Sequence, residues 1–188
     1  MAGNEVHNKI DPIQFEVVRS ALTQVTEEMA AALRRSAYST NVKTRQDFSC
    51  AFFDRNCKPV SQAFTQPVHL GSFVELIPTS VEAYGAENLQ PGDMLVVNNP
   101  FGGGSHLNDV TVFGPVHHQN ELIGYVASLA HHVDVGGGAP ASIGPFQEIF
   151  QEGVIITPVK LVKQGEMNED IFKLLLACLL YTSDAADE

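Results

Sequence analysis

Apolar residues recur at helical spacing near the start of the chain, and they predict the first helix. The stripe repeats every three or four residues and consists of Val18, Leu22, Val25, Met29 and Leu33. Such spacing puts the residues on one face of an α-helix, which we interpret as core packing without chemistry. The helix is expected to begin after Asp11, a good N-cap followed by Pro12, and to reach about Ser36.

A second and a third helix are predicted from the same kind of pattern. The second follows the letters QPVH, and its apolar positions are Leu70, Phe73, Val74, Ile77, Val81 and Tyr84. Pro78 lies inside it and removes one backbone hydrogen bond, so a kink or a split is expected there. Gly85 is a natural end. A last helix, capped by Asn168, is predicted over residues 171–177.

Six further stretches are typical of β-strands, and four of them predict two hairpins. The first hairpin joins Phe48–Phe53 to Pro59–Ser61, and the second joins Val110–Val116 to Glu121–Ala130 through a polar turn at His117–Asn120. A short strand is expected at Met94–Val97, and another at Val154–Val162, where Pro158 suggests an edge or a bulge. These elements predict an α+β fold with N-terminal amphipathic helices packed on a mainly antiparallel sheet.

The second hairpin brings two similar motifs to the same place. His106 and Asp109 precede its first strand, and His131 and Asp134 follow its second strand. Because the strands of a hairpin are antiparallel, both H-x-x-D pairs are expected at one end of the hairpin, in the flanking loops.

Composition narrows the classes of function. The chain has 188 residues, of which 44% are hydrophobic, and a net charge of −11. The length suits one domain with a core, and the acidic charge without a basic stripe argues against nucleic acid and anionic membranes. The polar first ten residues contain no signal peptide, and no apolar run approaches the roughly 20 residues of a membrane span. We therefore expect a cytoplasmic protein, and we interpret Cys50 and Cys57 as free thiols.

Imidazoles and carboxylates are common ligands of divalent metals, so these motifs predict a metal site. Two His and one Asp would leave coordination positions open for water or substrate, as in a catalytic site, and would allow Zn, Mn or Fe. Neighbouring residues of a strand point to opposite faces, so only one of His131 and His132 can join the site. His117 and His118 are expected to be solvated in the turn.

Several other side chains are candidates for supporting roles. His69 could line the pocket or hydrogen-bond to the end of the second helix, while Asp47 and Asp134 could orient a ligating imidazole. The glycine runs 102–104 and 136–138 would let backbone amides approach a ligand closely. Other chemistries lack their motifs, because the sequence contains no P-loop, no G-x-S-x-G elbow and no H-E-x-x-H helix.

Five motifs in this order give the chain a resemblance to a known family. They read QDFSCAFFD, QPVHLGSF, PGDMLVVNNPFGGGSHLNDVTVFGPV, ASLAHHVDVGG and EIFQEGVIITPVKL. The chain resembles the hydantoinase B/oxoprolinase family, which includes N-methylhydantoinase B subunits, the B-type half of 5-oxoprolinases and acetone carboxylase alpha subunits. The resemblance implies that residues 1–177 are the N-terminal part of a longer domain and are inactive alone. The last residues, 178–188, lack the pattern of the rest, and we interpret them as a non-native tail.

The resemblance also implies a function. It suggests metal-assisted hydrolysis of a cyclic amide, a small-molecule substrate that is activated with ATP by a hydantoinase A-type partner in a hetero-oligomer. The implied metal ligands are His106, Asp109 and His131, with Mn favoured. Asp134 and His69 are the other expected catalytic residues, and Gly102, Gly103 and Gly104 are expected to approach an oxyanion or phosphate. Two alternatives remain, an acetone carboxylase-like alpha subunit and a non-catalytic scaffold for the A-type subunit.

Overall fold

The computed structural model describes residues 11–179, and its architecture is the predicted α+β fold. The helices are α1 (Pro12–Ser36), α2 (Thr40–Lys43), α3 (Pro67–Tyr84) and α4 (Glu169–Ala177). The strands are β1 (Phe48–Asp54), β2 (Pro59–Gln62), β3 (Met94–Val97), β4 (Asp109–His118), β5 (Glu121–His131), β6 (Val159–Lys163) and β7 (Glu166–Met167). They form one antiparallel sheet in the order β2-β1-β5-β4-β3-β6-β7.

Helices pack on both faces of this sheet. Successive residues of a strand point to opposite faces, so Ala51 of β1 joins the main core while its neighbour Cys50 joins a second, smaller cluster. The main core forms where α3 packs on the central strands. The second cluster includes Ala30 of α1 and Val42 of α2. The metal-binding motifs therefore lie at one end of the sheet face that α3 covers.

The first helix has the predicted bounds, but its predicted apolar face is only partly confirmed, because Met29 and Leu33 pack against the second cluster while other members of the face are exposed. Asp11 caps it as expected, and its side chain accepts a hydrogen bond from the amide of Ile13. Thr26 and Ala30 are the buried residues, whereas Val18 and Val25 are 57% and 45% exposed. Small or hydroxyl side chains allow close contact with the first hairpin. The Thr26 hydroxyl lies 3.1 Å from that of Ser61, so the helix turns this side toward the sheet.

The second predicted helix is α3, and it is not split at Pro78. It runs as one element from Pro67 to Tyr84 and ends at Gly85, as expected. Proline removes the hydrogen bond that Val74 would otherwise accept through its carbonyl. Val74 is 54% exposed, so solvent can replace the missing donor.

The turn of the second hairpin is shorter than predicted. Gln119 and Asn120 form it alone, with φ angles of 49° and 68°. Two-residue turns with positive φ match the twist of the flanking strands. His117 and His118 consequently belong to β4, and the prediction that they lie in the turn is wrong.

The C-terminal elements differ from the prediction in two respects. Strand β6 begins only after Pro158 and lies between β3 and β7, so β7 is the edge strand. A register shift does occur beside it, between Met94 and Leu95 of β3. Asn168 stands at the N-cap of α4 but does not cap it, because its side chain donates to the carbonyl of Lys160.

Three remaining expectations concern the cysteines, membrane spans and the tail. Cys50 is fully buried, and the three cysteines are free thiols. None of the helices between residues 11 and 179 combines the length and the apolar character that crossing a bilayer needs. Of the suspected tail, Cys178 and Leu179 follow α4, and residues 180–188 lie outside the described residues.

Candidate metal centre

The register of the second hairpin places Asp109 directly opposite His131. Asp109 is the first residue of β4, His131 is the last of β5, and the two are paired across the strands. His106 lies in the loop just before β4, and its carbonyl accepts a hydrogen bond from the amide of Asp109. The convergence predicted from the order of the motifs is thus built by one strand pair and the turn before it.

The three side chains meet at nearly equal distances. Oδ1 of Asp109 lies 2.8 Å from Nε2 of His106 and 3.0 Å from Nδ1 of His131. The two imidazole nitrogens are 3.1 Å apart. Three atoms able to bind a metal therefore face one another, and the group His106, Asp109 and His131 could hold an ion.

Hydrogen bonding keeps Asp109 ionised despite its burial. The residue is 3% exposed. Burial alone would raise the pKa of its carboxyl, but hydrogen bonds from the two imidazoles and from the Ser105 hydroxyl outweigh it and hold that pKa well below the ordinary value. Its second oxygen, Oδ2, accepts the bond from Ser105, which leaves Oδ1 directed at the imidazoles.

The centre opens to solvent on the side of His106. The His106 side chain is 49% exposed and that of His131 is 18% exposed. The hydrogen bond with Asp109 raises the pKa of His106 above its ordinary value of 6.5, against the opposing effect of burial. A ligand could thus reach the group past His106, while Asp109 lies beneath.

His69 lies behind Asp109, at the closed side of the centre. It belongs to the first turn of α3 and is 3% exposed. Its Nε2 atom is 3.6 Å from Oδ2 of Asp109 and 3.5 Å from Oδ1 of Asp47. Burial lowers the pKa of His69 despite these two carboxylates. The backbone carbonyl of Asp47 also accepts from the amide of His131, so both residues named as supporting candidates adjoin the centre.

A buried asparagine fixes the loop that carries His106. Asn98 is fully buried, and its amide nitrogen donates to the carbonyls of Leu107 and Val154 at 2.8 and 2.9 Å. Its amide oxygen accepts from the amide of Ile156 at 2.7 Å. One side chain therefore ties the loop before β4 to the segment before β6.

The glycine run before His106 makes close contacts within the protein. The amides of Gly102, Gly103 and Gly104 all donate to carbonyls of the preceding turn. Gly103 has a φ of +100°, and a β-carbon there would lie 2.6 Å from the backbone nitrogen of Leu76 in α3. The contacts explain why glycine is needed at position 103, and the expected role of this run toward an oxyanion or phosphate stays a prediction.

Replacing Gly103 with alanine is expected to destabilise the protein by about 2 kcal/mol or more, because the β-carbon would meet helix backbone in a left-handed conformation. Gly102→Ala is the matched control, because its β-carbon would have no neighbour closer than 4.0 Å. Chemical denaturation of both variants measures the difference. Equal losses would show that backbone crowding at Gly103 is unimportant.

Asp134 lies beyond the end of β5, where the chain turns away from the centre. Its carboxylate accepts a hydrogen bond from the amide of Gly136 at 2.9 Å. With the exposed His132 it lines a cavity of about 140 Å³ whose other walls are mainly apolar and include α4. His131 thus belongs to the group that could hold a metal ion and His132 does not, and the expected role of Asp134 in catalysis stays a prediction.

Two hydroxyl residues of the centre were missed at the sequence level. The Ser105 hydroxyl donates a hydrogen bond to Asp109. The sequence could have indicated this residue, since it stands beside His106 in the same loop. Ser49 contacts the Nδ1 atom of His69 at 3.3 Å. It lies in β1, distant in sequence, and no local pattern marks it.

Comparison with known proteins gives a consistent result. A family model described as hydantoinase B/oxoprolinase matches residues 11–182. The 5-oxoprolinase of Saccharomyces cerevisiae is 42% identical over 170 residues, which cover 89% of this chain and 13% of that protein. The caprolactamase subunit beta of Pseudomonas jessenii is 36% identical over 170 residues, covering 90% of this chain and 29% of that protein.

Two solved structures have the same fold. The crystal structure of ATP-dependent caprolactamase from Pseudomonas jessenii matches with a TM-score of 0.84 and 35% identity, over 94% of this chain and 30% of that one. A nucleotide-free structure of acetone carboxylase matches with a TM-score of 0.83 over 90% of this chain and 22% of that one. Its identity is 20%, so this likeness concerns the fold alone. The chain spans between 13% and 30% of the length of these relatives.

Proposed function

Because the chain belongs to the hydantoinase B/oxoprolinase family, we propose that it is part of an ATP-dependent enzyme that hydrolyses a cyclic amide with the help of a divalent metal ion. The family includes 5-oxoprolinases and a caprolactamase subunit. The observation that carries the proposal is the group His106, Asp109 and His131, whose potential ligand atoms face one another at 2.8 to 3.1 Å.

The chemistry of this donor set fits a divalent ion. Two imidazoles and one carboxylate suit Mn, Zn or Fe, and three ligands would leave positions open for water or substrate. We propose Mn²⁺ as the ion, since the resemblance to the family favours it.

Three side chains would bind the ion, and a fourth would orient one of these ligands. His106 and His131 would bind through Nε2 and Nδ1, and Asp109 would bind through Oδ1 and supply the negative charge. Ser105 holds Oδ2 of Asp109 and so keeps Oδ1 available. A bound ion would lower the pKa of a water molecule and polarise an amide carbonyl. The exposed side of His106 is the route by which a substrate would approach.

We propose that a further polypeptide or domain uses the ATP. The caprolactamase relative is named as a subunit, and its structure is described as ATP-dependent. We propose that a hydantoinase A-type partner phosphorylates the substrate and that the present chain contributes to the site where the activated species is hydrolysed, in a cytoplasmic hetero-oligomer.

We expect the whole protein, assembled with its partner, to couple ATP turnover to opening of a lactam, hydantoin or 5-oxoproline ring without bicarbonate. The measurement compares these substrates and acetone, each with and without bicarbonate. His118→Ala is a suitable control, because His118 is exposed near the far end of the hairpin.

Two outcomes would contradict the proposal in different ways. Bicarbonate-dependent consumption of acetone would indicate a carboxylase alpha subunit, the alternative that the fold of acetone carboxylase favours. Full ring-opening activity after removal of all divalent metal would indicate that the chain acts as a scaffold for the A-type subunit.

A further inference from the structure

A partly buried chain of polar side chains runs from the loop before α3, through β1 and the first turn of α3, to the back of Asp109. The Thr65 hydroxyl donates to the Ser49 hydroxyl at 3.0 Å, and the latter lies 3.3 Å from Nδ1 of His69. The opposite ring nitrogen of His69 faces Asp109. Thr65, Ser49 and His69 are named here the support chain.

The surroundings of His69 select one tautomer. Nε2 lies between two carboxylate oxygens, at 3.5 Å from Asp47 and 3.6 Å from Asp109. A nitrogen lone pair directed at two carboxylates would be repelled, whereas an N–H group there is attracted to both. The proton of the neutral ring is therefore expected on Nε2.

The other end of the support chain fixes the position of the ring. Ser49 accepts a hydrogen bond from the Thr65 hydroxyl and donates one to the carbonyl of Gln66 at 3.2 Å. The Ser49 hydroxyl also lies 3.3 Å from Nδ1 of His69. The ring is therefore held between Ser49 on one side and the two carboxylates on the other.

We infer that His69 is a positioning residue that holds the Oδ2 side of Asp109 with its Nε2–H group, and that Ser49 and Thr65 set the orientation of its ring. The distances to the carboxylates are longer than a formed hydrogen bond, so this is an electrostatic contact in the described conformation. His69 and Ser105 both face Oδ2 of Asp109, and Oδ1 is left for the imidazoles and the ion. The inference rests on the proposed metal centre, but the tautomer can be measured without metal.

The first test uses two replacements at position 69. His69→Leu removes the N–H group, and His69→Gln retains an amide N–H near the position of Nε2. Loss of partners behind a metal ligand typically weakens metal binding 10–100-fold. We expect a loss of this size for Leu and substantial rescue by Gln, measured by calorimetric titration of the whole protein with Mn²⁺. Equal affinities for both variants, or tighter binding by Leu, would show that His69 serves only to fill space.

The second test measures the tautomer of His69 in the metal-free protein by ¹⁵N NMR, with the signals assigned by their disappearance in His69→Gln. We expect a protonated Nε2 and an unprotonated Nδ1, because Nε2 faces the carboxylates of Asp47 and Asp109. A proton on Nδ1 would overturn the inference even if Mn²⁺ binds. If the wild-type protein has the expected tautomer but binds no Mn²⁺, the proposed metal function fails and the preference for this tautomer stands.

Discussion

Replacing Asn98 with alanine is expected to lower the free energy of unfolding by about 3–4 kcal/mol, because three buried or partly buried backbone groups lose their partner at once. The carbonyls of Leu107 and Val154 and the amide of Ile156 all bond to the Asn98 side chain. No water can easily replace it, since Asn98 is fully buried. The loop that carries His106 would also be released, so the ion should bind more weakly to the variant.

Denaturant unfolding of Asn98→Ala measures this effect, and Asn56→Ala provides the control. Asn56 lies in the exposed turn of the first hairpin, where a surface replacement typically changes stability by no more than about 0.5 kcal/mol. A loss below about 1 kcal/mol for Asn98→Ala would mean that the loop is held by other contacts.

Replacing Asp109 with asparagine is expected to weaken binding of the divalent ion on the order of 100-fold or more. Asp109 is the one anion among the three proposed ligands, and loss of a mere supporting partner already costs roughly 10–100-fold. An ion present at about 100 times its dissociation constant stabilises a folded protein by about 2.7 kcal/mol. Thermal unfolding should therefore show that Mn²⁺ increases the melting temperature of the wild-type protein and hardly changes that of Asp109→Asn.

The pH dependence of that increase has a defined sign. In the metal-free protein the pKa of His106 is raised above 6.5 by Asp109, so this contact stabilises the fold below pH 6.5 and the contribution is lost as the pH rises through the folded-state pKa. Metal binding requires the unprotonated imidazole. The increase in melting temperature produced by Mn²⁺ should therefore grow as the pH rises above 6.5. An increase that is independent of pH would exclude His106 as a ligand.

Much of the fold could be predicted because local signals and packing agree. Local sequence alone is sufficient to predict three features: the N-cap at Asp11, the helix end at Gly85 and the strand at residues 94–97. The buried face of α1 could not be predicted in the same way. Apolar spacing identifies a helix, but the side that meets the sheet was decided by close contact of Thr26 and Ala30 with the first hairpin.

The length of the second hairpin's turn is another feature that the local sequence pattern did not predict correctly. Four polar residues, His-His-Gln-Asn, predicted a four-residue turn, yet two residues with positive φ complete it. Asparagine tolerates that conformation, which is the signal that favours the shorter turn. The turn pairs His118 with Glu121, and a register shift of one residue between Val116 and His117 then sets Asp109 opposite His131.

The candidate site could also be predicted only in part from the sequence. The proximity of His106, Asp109 and His131 could be predicted from sequence order alone. In a hairpin, the start of the first strand lies beside the end of the second strand. The choice of His131 over His132 came from the family resemblance, and the register places His131 beside Asp109. The contribution of Ser49 could not be predicted, because its contact with His69 depends on how α3 crosses β1.

The central claim is that His106, Asp109 and His131 together hold one divalent ion, and elemental analysis of the purified whole protein tests it most directly. The measurement compares the wild type, the His118→Ala control and single alanine replacements at the three positions, each after equilibration with Mn²⁺ and removal of excess metal. The account predicts about one ion per chain in the wild type and the control, in keeping with a single three-residue site, and strong depletion in all three variants. Unchanged metal content in the three variants would contradict it.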